Sequence, residues 1–186
     1  MAQQPLRYDR VARLLHWLIG ALLVAQIAFG FLLDDIAPRN TPARANVINT
    51  HKSLGIVLGL LILARLLWRL THRPPAWLPS LPQWQRRAAH WGHVLLYLCM
   101  VTMPLSGYVA SNFSKHGVKF FGKVLPPWGP ELPEVYKFLN GVHVATAFVF
   151  TALIVGHVLA AVSHLLARDG TLHRISLAPD TESDKR

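Results

Sequence analysis

Two histidines stand where an imidazole is costly. His143 and His157 lie in the run Lys137 to Arg168, KFLNGVHVATAFVFTALIVGHVLAAVSHLLAR, whose two bracketing cations enclose 30 residues without a formal charge. That is enough for a helix to cross the roughly 30 Å hydrocarbon core of a bilayer. On such a helix the fourteen-residue interval between them advances about 21 Å and returns to within about 40° of the same azimuth. Both rings therefore face one way at two depths. Ionisable groups inside a span mark function, and two in register require two partners. His16 and His51, in earlier apolar runs, supply them.

Depth sorts the remaining histidines. His16 lies just inside the start of the first run and His157 in the half of the last run nearer the C-terminus, while His51 and His143 lie just inside the opposite end. Direction alone pairs His16 with His157 and His51 with His143. Two opposed neutral imidazoles in a dry bundle suit few groups. Zinc takes four ligands, usually with thiolate or carboxylate, and the spans offer neither in quantity. Haem iron needs only two protein ligands, and a flat macrocycle suits the interior of a helical bundle. The pairs therefore predict two haems. Gly20 and Gly55 follow His16 and His51 by one helical turn, on the same face, and leave room for a flat group or for close helix packing. His90 and His93 compete for the site of His16 and His157. Three residues apart on one helix they share a face and cannot ligate one ring from opposite sides, so hydrogen bonding to propionates or a quinone, or proton delivery, is the expected role. Arg13 joins Gly20, Gly55, His90 and His93 as candidate surroundings of haem or quinone. His72, His116 and His173 fall in polar connections or the tail, and His164 near the headgroups before Arg168. Met100 and Met103 read as core filler.

The elements that must hold these residues are membrane spans. The chain has 186 residues, is 52% hydrophobic and has a mean hydropathy of +0.32, too apolar for an ordinary soluble domain. Charge-poor runs at Leu14 to Leu33, about 46–70 and Ala88 to Ser114 precede the last one. The expected fold is all-α, a transmembrane four-helix bundle forming a single domain, with spans at about 10–33, 46–70, 88–112 and 138–167. The first run is too long for a signal-peptide core and is read as a retained helix. A net charge of +10 would suit nucleic acid, but its distribution is that of membrane topology. Twelve of the cations, from Arg7, Arg10 and Arg13 to Lys185 and Arg186, fall at the end shared by the termini, and seven at the other. By the positive-inside rule both termini are cytoplasmic. The single cysteine, Cys99, excludes an internal disulfide, and no Cys-x-x-Cys-His is present for covalent haem attachment.

Connections carry their own signals. Residues 71–85 hold four prolines and two tryptophans, an irregular segment for the headgroup layer. Pro104 within the third span removes a helical hydrogen bond and predicts a bend. The outer connection, Lys115 to Tyr136, carries Lys115, Lys119 and Lys123, with Pro133 placed for a helix start. The segment from 178 to 186 is polar and expected to be disordered.

The chain resembles the bacterial cytochrome b561 family through RLLHW (13–17), THKSLG (50–55), HWGH (90–93), MPLSG (103–107), GVH (141–143) and GH (156–157). The resemblance spans about residues 5–175. It implies a four-helix di-haem b protein of the bacterial inner membrane, with His16, His51, His143 and His157 as axial ligands. It implies electron transfer between a small periplasmic donor, superoxide being a candidate, and membrane ubiquinone, as in a superoxide:ubiquinone oxidoreductase. Lys52, Lys115, Lys119, Lys123 and Lys137 would attract an anionic donor. A haem-bearing membrane anchor of a hydrogenase- or dehydrogenase-type complex is the alternative, and a homodimer or a redox partner subunit is compatible with either. A histidine-based proton or metal transporter fits less well, because the span centres lack Asp and Glu.

Overall fold

A computed structural model describes residues 7–179. Its order is α1 (Arg10–Phe31), a short α2 (Leu33–Ile36), α3 (Arg44–Thr71), α4 (Gln83–Asn112), β1 (Val118–Phe120), β2 (Lys123–Leu125), α5 (Pro133–Ala167) and a 3-10 turn (Leu172–Ile175). Among the described residues, four helices, α1, α3, α4 and α5, are long and apolar enough to cross a membrane. The fold is an all-α transmembrane bundle. Helices suit this setting because every backbone group within them is paired without water.

Local chemistry sets the ends. The Asp9 carboxylate accepts from Ala12 N at 2.9 Å and caps α1. Pro133 is the first residue of α5 itself, and the helix stops where Arg168 turns left-handed at φ 52°. α4 begins at Gln83, inside the proline-rich connection, and runs unbroken through Pro104. Gly59 of α3 makes room there, since a Cβ on it would lie 3.2 Å from Pro104 Cβ.

The connection between α4 and α5 is not wholly irregular. β1 and β2 form an antiparallel hairpin with Phe120 opposite Lys123. Phe121 and Gly122 at its tip both have positive φ, 45° and 89°, as a two-residue primed turn requires. Ser53, nearly inaccessible on α3, donates to Lys119 O at 3.0 Å and accepts from Phe121 N at 2.9 Å. The half-buried Lys52 donates to Gly117 O at 2.8 Å. The hairpin is thus fastened to the helix that carries His51.

α1 packs along α3, α3 along α4, and α5 chiefly along α4. α1 and α5 meet through side chains, among them Phe31 and Phe148 with ring centres 5.1 Å apart. The buried core is a thin layer of Ile19, Leu23 and Ile27 from α1, Leu58 and Ile62 from α3, Cys99 and Met100 from α4, and Phe150 from α5. Outside it, apolar side chains face outward, as lipid permits.

The N-terminal lead and the C-terminal segment share one end of the bundle, where Tyr8 N donates to Arg174 O at 3.1 Å. Arginines bind carbonyls there. Arg7 donates to Ser176 O and Ala178 O, Arg13 to Ser176 O, and Arg174 to Pro75 O at 2.9 Å and Ala76 O at 2.7 Å. Burial pulls the Arg174 guanidinium below its ordinary range, the neighbouring Tyr8 opposing this. Of the tail expected to be disordered, Ala178 and Pro179 are described and accept these arginine bonds. Residues 180–186 lie outside the described residues.

Candidate functional site

The four span histidines form two pairs at two levels. His51 and His143 have ring centres 6.4 Å apart with planes at 90°. His16 and His157 are 6.1 Å apart at 67°. Two metal–nitrogen bonds of about 2 Å, plus the distance from each nitrogen to its ring centre, place trans axial imidazoles about 6 Å apart. Both pairs fit a haem iron on this measure. Among the described residues, no three His, Cys, Asp or Glu side chains are arranged to cage a bare metal ion. A two-ligand site is what the helices offer.

The pair remote from the termini is built by all four long helices. His143 Nδ1 donates to Met103 O of α4 at 2.9 Å, which leaves the Nε2 lone pair free for a metal. Gly107, one turn further along α4, gives the ring its space, since a Cβ there would meet His143 Cε1 and Nδ1 at 3.0 Å. His51 is held from α1 by residues at i, i+3 and i+4. Gln26 Nε2 donates to His51 O at 2.7 Å and lies 3.2 Å from Nδ1. Phe29 packs edge-on at 5.6 Å, and a Cβ on Gly30 would come within 3.2 Å of Cε1.

The pair nearer the termini has a third imidazole. His93 of α4 stands 5.5 Å from His157, on the helix packed along α5, whereas His16 approaches from α1. Arg65 Nη1 donates to Ala12 O at 3.1 Å and Nη2 lies 3.4 Å from His16 Nδ1. Trp17 packs edge-on against His16 at 5.5 Å and donates to Ile175 O at 2.9 Å. The level thus combines three imidazoles with a guanidinium.

The remaining predicted residues are dispersed. Gly20 has no protein atom within 4 Å of a built Cβ, so space beside His16 is open, whereas Gly55 faces Gln26 Nε2 at 3.5 Å. Arg13 is directed at the C-terminal carbonyls. His90 is exposed against Trp91 and joins neither pair. His72 stacks on Trp68. His164 bonds the Asp169 carboxylate. Burial acts to raise the Asp169 carboxyl, but hydrogen bonds from Thr171 N–H and His164 hold it below its usual range. Sequence reasoning missed Gln26, Phe29, Gly30 and Arg65. Gln26 left a signal, being an amide in an otherwise apolar run.

An α-helical membrane bundle with opposed histidines at two levels defines the class of a b-type membrane cytochrome. Residues 7–176 match the family model of the prokaryotic cytochrome b561, and the chain belongs to that family, whose members carry haem b. It is similar to cytochrome b561 homolog 2 of Escherichia coli K12, 29% identical over 173 residues that cover 92% of each chain. Cytochrome b561 homolog 1 of the same organism is 28% identical over 170 residues, 91% of this chain and 96% of that one. A protein of Yersinia pestis named probable superoxide oxidase CybB is 28% identical over 163 residues, 87% of this chain and 90% of its own. Membrane electron transfer is the activity this membership assigns.

Proposed function

We propose that the protein holds two b haems, one between His16 and His157 and one between His51 and His143, and passes electrons between a donor outside the cytoplasm and ubiquinone. The observation that carries the reading is the separation of the two ring pairs, 6.1 and 6.4 Å, at two levels of one bundle. The haem supplies one-electron ferric–ferrous chemistry, and the chain supplies ligands, spacing and a dry interior.

The positive-inside asymmetry sets the termini in the cytoplasm of a bacterial inner-membrane protein. The His51–His143 level then faces the periplasm beneath the hairpin. Lys115, Lys119 and Lys123 are exposed there and raise the local concentration of an anion. Superoxide is the donor favoured by this charge and by the name of the Yersinia pestis relative. Each superoxide gives one electron and leaves as dioxygen. Two electrons and two protons from the cytoplasmic side convert ubiquinone to ubiquinol. His93, 5.5 Å from His157, would hydrogen-bond a propionate or the quinone, and Arg65 would neutralise a carboxylate.

Replacing either His16 or His157 by alanine should remove the same haem and leave the other spectrum intact, and His51→Ala and His143→Ala should match each other likewise. His93→Ala should retain both haems and slow quinone reduction. Loss of the outer haem from His16→Ala would overturn the pairing.

A further inference from the structure

Each of the four long helices places a buried residue seven positions after a histidine. They are Leu23 after His16, Leu58 after His51, Met100 after His93 and Phe150 after His143. Seven residues are almost two whole turns, about 10.5 Å along the axis, so each residue lies on the histidine's own stripe, toward mid-bundle. All four belong to one buried cluster. Phe150 holds a special place in this layer, because it is also seven residues before His157. It is the one buried residue of α5 and is 1% exposed.

A helix whose other residues are half-buried or exposed thus buries one large aromatic ring, midway between its two histidines and on their azimuth. A haem held by His16 and His157 and one held by His51 and His143 would be separated by the layer of Phe150. That layer carries no charge, and beyond the weakly bonding Cys99 thiol its buried side chains are apolar, so it disfavours passage of water, protons and ions. Electrons are not excluded, since tunnelling needs only close-packed atoms, and a conjugated ring lowers the barrier relative to an aliphatic chain. Resting on the two-haem reading, we infer that Phe150 is the bridge through which the two haem sites exchange electrons, seated in an apolar septum that keeps protons from crossing with them.

Pulse radiolysis of the purified holoprotein tests this, following redistribution of one injected electron between the two haems, with haem content and midpoint potentials measured beside it. Phe150→Leu keeps an apolar side chain and removes the ring. It should retain both haems at unchanged potentials and slow redistribution several-fold. Phe150→Trp should keep the rate within about twofold of wild type. A wild-type rate in Phe150→Leu would overturn the inference. So would loss or a shifted potential of one haem in a protein that still folds, because Phe150 would then be packing for that haem rather than a bridge. Should the Trp variant fail to assemble, the Leu comparison still decides. A wild type with a single haem fails the underlying reading instead, and haem content distinguishes that result.

Discussion

Gly107→Ala puts a single methyl group against the ring of His143. The new Cβ would lie 3.0 Å from both Cε1 and Nδ1, where comfortable contact between such atoms is about 3.5–4.0 Å. The imidazole must retreat by about 0.5–1 Å, or α4 and α5 must part. Overpacking of this kind costs about 1–3 kcal/mol. Retreat also stretches the 2.9 Å bond from Nδ1 to Met103 O, worth about 1 kcal/mol. Charged to the His51–His143 site, the combined 2–4 kcal/mol weakens haem retention there on the order of 30- to 1,000-fold. Gly30→Ala, with its contact at 3.2 Å to the Cε1 edge of His51, should act on the same haem more weakly. Gly156→Ala, which meets nothing within 4 Å, is the control. Gly20→Ala also meets no protein atom, so loss of the inner haem from it alone would report a macrocycle in that space. Haem content by pyridine haemochrome and redox-resolved spectra of each purified variant provide the assay. A Gly107→Ala protein with a full outer haem at an unchanged potential would refute the reasoning.

Three further outcomes are expected. Neutralising Lys115, Lys119, Lys123 and Lys137 together should slow reduction by superoxide in rapid mixing and flatten its dependence on ionic strength, because screening shortens from about 10 Å at 0.1 M to about 3 Å at 1 M salt. Lys52→Met should instead loosen the hairpin, visible as faster proteolysis at 117–125, since its ammonium is engaged with Gly117 O. Arg174→Leu strips donors from the carbonyls of Pro75 and Ala76 and should lower stability by about 2–6 kcal/mol, at about 1–3 kcal/mol for each acceptor left unpaired. Thermal unfolding in detergent checks this, and both haem spectra should persist below the transition.

The histidine pairs were legible because helix geometry is rigid. Depth and azimuth along α5 follow from a rise and a rotation per residue, and the apolar runs mark where His16, His51, His143 and His157 sit. Contacts that depend on how one helix faces another were not legible. Gln26, Phe29 and Gly30 form a cradle for His51 only once α1 and α3 have settled on a relative rotation, which the sequence of neither helix specifies. Gly55 shows the same limit. Its spacing from His51 allowed either a flat group or a packed neighbour, and the neighbour facing it is the Gln26 amide. Lys52 read as surface charge, yet its ammonium meets a carbonyl that the chain brings back 65 residues later. The hairpin went unread because its strands have three residues each and a non-glycine residue occupies one of its two positive-φ tip positions.

Haem stoichiometry tests the two-haem reading most directly. A pyridine haemochrome assay on purified protein, with protein quantified by amino-acid analysis, should give two haems b per chain, falling to one in His16→Ala and in His51→Ala. A wild-type ratio near one, or no haem, would contradict it.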